Sequence, residues 1–153
     1  MNKITPFLWF NDNAEEAMNY YVSIFPNSRV ISAWKGPDGK VMGVSFVLNG
    51  QEVRGLNGGP QFKPTEAFSF FVDCDSQEEV DMYWNKLTAD GGQESMCGWL
   101  KDKYGLSWQI IPTALGRLMG DKDPKKSQAV TQCMLKMKKI VVADLQKAYD
   151  EAQ

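Results

Sequence analysis

Any chemistry in this chain must proceed without histidine, since none of its 153 residues is one. The commonest general base and the commonest transition-metal ligand are therefore missing. Any Ser-His-Asp or Cys-His mechanism is excluded as well. The reactive groups that remain concentrate between Gly91 and Pro112. Cys97 is a thiol with no imidazole to activate it, which points to a structural role. Asp102-Lys103 occupies a hairpin tip and reads as a solvated turn rather than a catalytic pair. Candidate bases reduce to carboxylates, Lys101, Cys97 and Tyr104. Gln109, near the end of this stretch, donates and accepts hydrogen bonds but carries no charge. Elsewhere, Arg54 would meet an anionic ligand only if it faces a cavity. Trp9 and Trp99 supply indoles that either stack on an aromatic ligand or pack in a core.

These side chains need elements to hold them. Residues 91–112 read as a strand, a tight turn at Asp102 to Gly105, and a second strand closed by Pro112. Ile4 to Phe10 reads as a strand with Thr5, Phe7 and Trp9 on one face and Leu8 and Phe10 on the other. Asp12 or Asn13 caps a helix from Ala14 to Phe25 whose apolar face is Ala17, Met18, Tyr21 and Phe25. Strands follow at Ser28 to Trp34, Val41 to Leu48 and Gln51 to Asn57, with Asn49-Gly50 as a hairpin signal. After a linker over residues 58–66 the pattern restarts. Ala67 to Val72 is a strand, Asp75 or Ser76 caps a helix from Gln77 to about Ala89, and three short strands end at Pro112. Glu15-Glu16-Ala17-Met18-Asn19-Tyr20-Tyr21 parallels Glu78-Glu79-Val80-Asp81-Met82-Tyr83-Trp84. The same context on both sides predicts a duplicated β-α-β-β-β unit. The tail from Thr113 to Gln153 is helical. One short helix carries Leu115, Leu118 and Met119, another starts at Asp123-Pro124, and a third spans Ala143 to Ala152. It reads as a cover over the sheet or a contact with a second copy.

Bulk composition narrows the partners. A chain that is 43% hydrophobic and 24% charged can fill one domain-sized core. A net charge of −2 without a basic stripe gives no reason to expect nucleic acid or an anionic membrane. No apolar run is long enough to span a bilayer, and the first residues lack the basic-then-apolar pattern of a signal peptide. Cys74, Cys97 and Cys133 are odd in number and widely spaced, which argues against a disulfide framework and a zinc knuckle. Cytoplasmic residence is the expectation.

Two β-α-β-β-β halves, the second ending in a hairpin with Gly105, resemble the vicinal-oxygen-chelate superfamily of glyoxalase I, extradiol dioxygenases and bleomycin-resistance proteins. The resemblance is to its PhnB-like branch, often labelled demethylubiquinone methyltransferase, at four segments: Ile4-Thr5-Pro6-Phe7-Leu8-Trp9-Phe10, Leu56-Asn57-Gly58-Gly59-Pro60, the run from Cys97 to Gln109, and Met134-Leu135-Lys136-Met137-Lys138-Lys139-Ile140. It extends over nearly the whole chain. It implies an α+β fold in which two βαβββ modules (about 1–57 and 67–112) form a cupped mixed sheet around a cavity, with C-terminal helices over 113–153 and usually a homodimer.

The superfamily's metal corners, carried over by position, fall on Thr5, near Gly55 or Asn57, on Ser69 and on Gln109. None of these is a histidine, carboxylate or thiolate, and a divalent transition ion needs such donors to offset its lost hydration. No metal and no other cofactor is therefore expected. If the cup forms, the ligand pocket consists of Thr5, Phe7, Trp9, Asn57, Ser69, Phe71, Trp99, Ser107 and Gln109. An apolar cavity with a few converging polar groups is the usual form of a small-molecule site. The expected function is metal-free binding of a small apolar or aromatic molecule. The alternatives are a metal-independent enzyme, or a drug-sequestering protein of the bleomycin-resistance type. Methyl transfer gains little support, because the first strand ends in Asn11-Asp12-Asn13 with no glycine-rich turn to cradle a donor.

Overall fold

The computed structural model describes residues 2–153. The chain divides into two compact units, the first ending at Pro64 and the second beginning at Thr65.

The first unit is β1 (Phe7–Phe10), α1 (Ala14–Ile24), β2 (Arg29–Lys35), β3 (Val41–Leu48) and β4 (Gln51–Asn57). Its sheet has the order β1-β4-β3-β2, with β1 parallel to β4 and the other pairs antiparallel. Alternation along the strands turns Leu8, Phe10, Val44, Phe46 and Val53 toward α1, where they are buried with Ala17, Met18 and Tyr21. The Tyr21 and Phe46 rings stack at 6.4 Å. At the β3–β4 turn Asn49 and Gly50 have φ of 47° and 85°, as a two-residue hairpin of matching twist requires. β1 starts later than the sequence suggests. Pro6 has no N–H to give, and only its carbonyl pairs, accepting from the Arg54 N–H at 3.0 Å. The cap of α1 also differs from expectation. Asn13 occupies the cap position without a side-chain cap bond. Asn57, at the end of β4, accepts the Ala14 N–H at 2.8 Å instead.

The second unit repeats the plan. β5 (Ser69–Cys74), α2 (Gln77–Thr88), β6 (Gln93–Glu94), β7 (Trp99–Lys101) and β8 (Ser107–Pro112) form a sheet of order β5-β8-β7-β6, the first unit's order shifted by four strands. Here the cap is as expected, Ser76 Oγ accepting from the Glu79 N–H at 3.2 Å. Val80, Tyr83, Trp84 and Leu87 form the buried face of α2. β5 begins at Ser69 rather than Ala67, because the chain is still turning before it: the Phe68 N–H bonds the Thr65 carbonyl. A 3-10 turn over Ala89–Gly91 follows α2.

The tail forms α3 (Thr113–Met119), α4 (Pro124–Met134) and α5 (Val142–Glu151). These helices enclose their own core of Leu115, Leu118, Val130, Ile140 and Leu145, joined to the sheet by Ile111. Asp123 caps α4. α5 starts one residue early because Gln77 Oε1 accepts the Val142 N–H at 2.7 Å.

Candidate functional site

Each sheet buries one face under its helix and leaves the other open. In the second unit β5 and β8 run parallel in the register Ser69↔Ser107 and Phe71↔Gln109, and β7 adds Trp99↔Gln109 and Lys101↔Ser107. Alternation places these six residues on the face away from α2. At its centre Gln109 Nε2 donates to Ser69 Oγ at 3.0 Å. Phe71 beside them is 53% exposed, and Trp99 is half-buried. Ser107 is 1% exposed, and its Oγ has no hydrogen-bond partner among the described residues. It lines a cavity of about 220 Å3 with Glu66, Gln93, Trp99 and Lys101. Lys101 Nζ pairs there with the Glu66 carboxylate. That ammonium, as hydrogen-bond donor, holds the Glu66 carboxyl below the usual carboxylate range.

In the first unit Trp9↔Leu56 is a pair between β1 and β4 on the open face. The open face there is apolar at this pair. Trp34 fills the place next to Leu56: a Cβ on Gly43 would lie 1.9 Å from its indole. An indole thus lies on the open face of each sheet, from Trp34 beside Leu56 in one and from Trp99 beside Gln109 in the other. Trp9 is committed to its own unit. Its Nε1 donates to the Gly59 carbonyl at 3.0 Å, and its ring meets Phe62 edge-on at 4.9 Å.

Of the residues expected to line the pocket, Ser69, Phe71, Trp99, Ser107 and Gln109 come together on one face of the second unit, and Phe7 and Trp9 lie on one face of the first. Two do not fit that description. Thr5 lies two residues before β1. Asn57 turns its amide toward α1, accepting from Ala14 and donating to the Val41 carbonyl at 3.1 Å, so it is a helix cap. Gly55 likewise abuts Phe10 and the Leu8 carbonyl. Arg54 is on the open face but already pairs with Glu52 at 3.2 Å. Asp102 is the clearest correction. It is not a solvated turn residue but 3% exposed, with both carboxylate oxygens bonded inside the hairpin. Glu66 gave no signal in the sequence, since only folding brings the linker to Lys101.

The site does not suit a divalent transition ion. Its central donors are a carboxamide and a hydroxyl that bond each other, and neither supplies the anionic or imidazole donor such an ion requires. Among the described residues no three His, Cys, Asp or Glu side chains group as a metal site.

The family described as 3-demethylubiquinone-9 3-methyltransferase matches residues 2–111. No curated protein matches the chain. Among solved structures, the PhnB protein of Bacillus cereus, which bears the same methyltransferase description, is 37% identical over 73% of this chain and 100% of its own, with a TM-score of 0.68. Protein PA1353 from Pseudomonas aeruginosa is 20% identical over 73% and 98%, with a TM-score of 0.59. The fosfomycin resistance protein FosX of Listeria monocytogenes is 19% identical over 73% and 93%, with a TM-score of 0.52. The last two establish the fold alone. The family match ends at Ile111, so the tail segment Met134 to Ile140, which the sequence resemblance included, lies beyond it. With its duplicated β-α-β-β-β units and this match, the chain belongs to the PhnB-like family described as 3-demethylubiquinone-9 3-methyltransferase.

Proposed function

We propose that this chain is a cytoplasmic, homodimeric binding protein that takes a small, largely apolar or aromatic molecule on the open face of its second sheet without a transition metal. The observation that carries this reading is the Gln109–Ser69 pair, a neutral donor-acceptor couple at 3.0 Å beside the exposed Phe71 ring. Such a couple orients a carbonyl or hydroxyl group of a ligand, while Phe71 and Trp99 supply apolar contact. Methyl transfer, the activity in the Bacillus cereus relative's description, gains nothing from the first unit. β1 runs into Asn11-Asp12-Asn13 and a helix capped by Asn57, with no glycine-rich turn for a nucleotide-like donor.

The test combines elemental analysis with ligand titration. Purified protein is expected to carry no stoichiometric zinc, nickel, manganese or iron. Benzyl alcohol, a neutral aromatic probe, should shift the indole N–H resonance of Trp99. Gln109→Ala should weaken that binding a few-fold to about tenfold, the worth of one neutral hydrogen bond. Stoichiometric metal held by these side chains, or an unmoved Trp99 resonance, would defeat the reading.

A further inference from the structure

We propose that the cavity of the second unit takes a small carboxylate, which reaches Lys101 by displacing the Glu66 carboxylate and takes its remaining hydrogen bond from Ser107. This rests on the proposed function for the same face and adds the ligand's charge. The cavity holds about 220 Å3, below the roughly 300–1,000 Å3 of drug-sized pockets, so the occupant is small.

Three observations converge. First, Ser107 Oγ is buried and unbonded among the described residues, although a buried hydroxyl without a partner is costly. The residue lines the cavity, and its hydroxyl, closed to solvent while Glu66 is in place, would be satisfied by a ligand oxygen that displaces Glu66. Second, Lys101 is the cross-strand partner of Ser107 and lines the same cavity, so its positive charge and the unused hydroxyl converge on one space. Third, the group now holding Lys101 is a carboxylate from outside the sheet. Glu66 lies in the turn before β5, and its side chain is 60% exposed against 38% for Lys101. A pair this exposed is screened and contributes little stability. It therefore exchanges readily for an incoming carboxylate with a better enclosed position. Glu66 occupies the ligand's place until the ligand arrives. The cavity's other carboxylate, Glu94, is already engaged, accepting from Trp84 Nε1 at 2.7 Å. Trp99 provides an aromatic wall for the ligand's body.

The signature of this arrangement is that removing one charge strengthens binding and removing the other weakens it. Phenylacetate and its neutral analogue phenylacetamide are titrated into the full chain, with the Trp99 indole resonance as readout. Wild-type protein should bind phenylacetate more tightly than phenylacetamide. Glu66→Gln should tighten phenylacetate by up to about fivefold, the most an exposed ion pair opposes. Lys101→Met should weaken it by roughly ten- to hundred-fold, the worth of a hydrogen bond to a charged group, and should weaken phenylacetamide much less. Ser107→Ala, which removes a single atom, should weaken phenylacetate a few-fold. The far-ultraviolet circular dichroism of every variant serves as the check on folding. Equal binding of phenylacetate and phenylacetamide by the wild type overturns the inference. So does a Glu66→Gln variant that binds phenylacetate less well, or a Ser107→Ala variant that binds it as well as wild type. In those cases benzyl alcohol binding still upholds the broader reading. If no aromatic probe moves Trp99, both fail together.

Discussion

Asp102 shows how a single carboxylate can organise a hairpin. Its Oδ1 accepts the Tyr104 and Leu106 N–H groups at 2.8 and 3.1 Å, and its Oδ2 accepts Trp108 Nε1–H at 2.8 Å. A buried carboxylate persists only when such donors replace its hydration. Asp102→Asn retains the shape but sets an NH2 against one of these donors. It should cost about 1–3 kcal/mol of unfolding free energy, measured by urea denaturation, and should disturb the near-ultraviolet signal of Trp108. Lys101 and Ser107 flank this hairpin, so the variant should also loosen the cavity. Cys74 has a simpler environment. Burial, followed by the charges of Glu79, Asp73 and Asp75, pushes its thiol up to about 12. A raised pKa means that the associated stability is complete below the unfolded value of 9.0 and is lost as pH climbs toward 12. Below that window Cys74 stays a protonated thiol. An aromatic disulfide reagent should reach Cys97 and Cys133 in the native protein and Cys74 only after denaturation; early reaction of Cys74 would contradict its burial.

The elements show what sequence can and cannot reveal. Helix faces, the Asn49-Gly50 turn and the repeated strand order were legible because each follows from local periodicity or turn chemistry. The candidate face was legible in part, since alternation puts Phe71, Gln109 and Ser107 together once their strands are known. Asn57 was not, because its partner Ala14 is distant in sequence and a one-residue change of strand parity reverses a side chain. Asp102 was misread for a related reason: a polar residue at a turn looks solvated until Trp108 is known to reach back to it. The tail adds contacts no local pattern announces. Its Met137 and Lys138 carbonyls accept the N–H groups of Cys97 and Gly98 at 2.7 and 2.8 Å, fixing the loop that leads into Trp99. α5 is held partly by Tyr149, whose hydroxyl donates to Asp121 Oδ2 at 2.6 Å, while Lys126 Nζ lies 4.3 Å over its ring. That hydrogen bond lowers the Asp121 carboxyl and raises the Tyr149 phenol. The lowered carboxyl contributes above its unfolded pKa and is lost as pH falls through the folded one. The raised phenol contributes below its unfolded pKa and is lost as pH rises through the folded one. Amide exchange in α5, corrected for intrinsic rates, should therefore accelerate at both extremes; Tyr149→Phe should remove the alkaline limb and shrink the acid one, since the Asp123 N–H also lowers Asp121.

At the scale of the whole molecule, the first unit leaves several large apolar side chains exposed. All seven residues of β2 are exposed, Val30, Ile31 and Trp34 among them at 43% each, and Phe7 and Met42 are exposed as well. β2 is also the sheet's edge, where unpaired backbone groups invite another strand. Register shifts at Val30/Ser32 and Trp34/Lys35 interrupt its ladder with β3, a device that discourages indiscriminate pairing along an edge. An edge that is apolar yet interrupted suits one defined partner better than a stack of many. A net charge of −2 offers little long-range repulsion between copies. These features support the proposed homodimer, with the face around Trp34 covered by a second chain. Sedimentation equilibrium should then find twice the 17.3 kDa chain mass at micromolar concentration. Trp34→Glu places a charge where that contact would bury it, and should yield a folded monomer. Gly43, which leaves room for the Trp34 ring, accepts the substitution without a clash, and far-ultraviolet circular dichroism of the variant separates loss of the dimer from loss of the fold. A wild-type protein that sediments at the chain mass, or a Trp34→Glu variant that remains dimeric, would place the contact elsewhere or remove it.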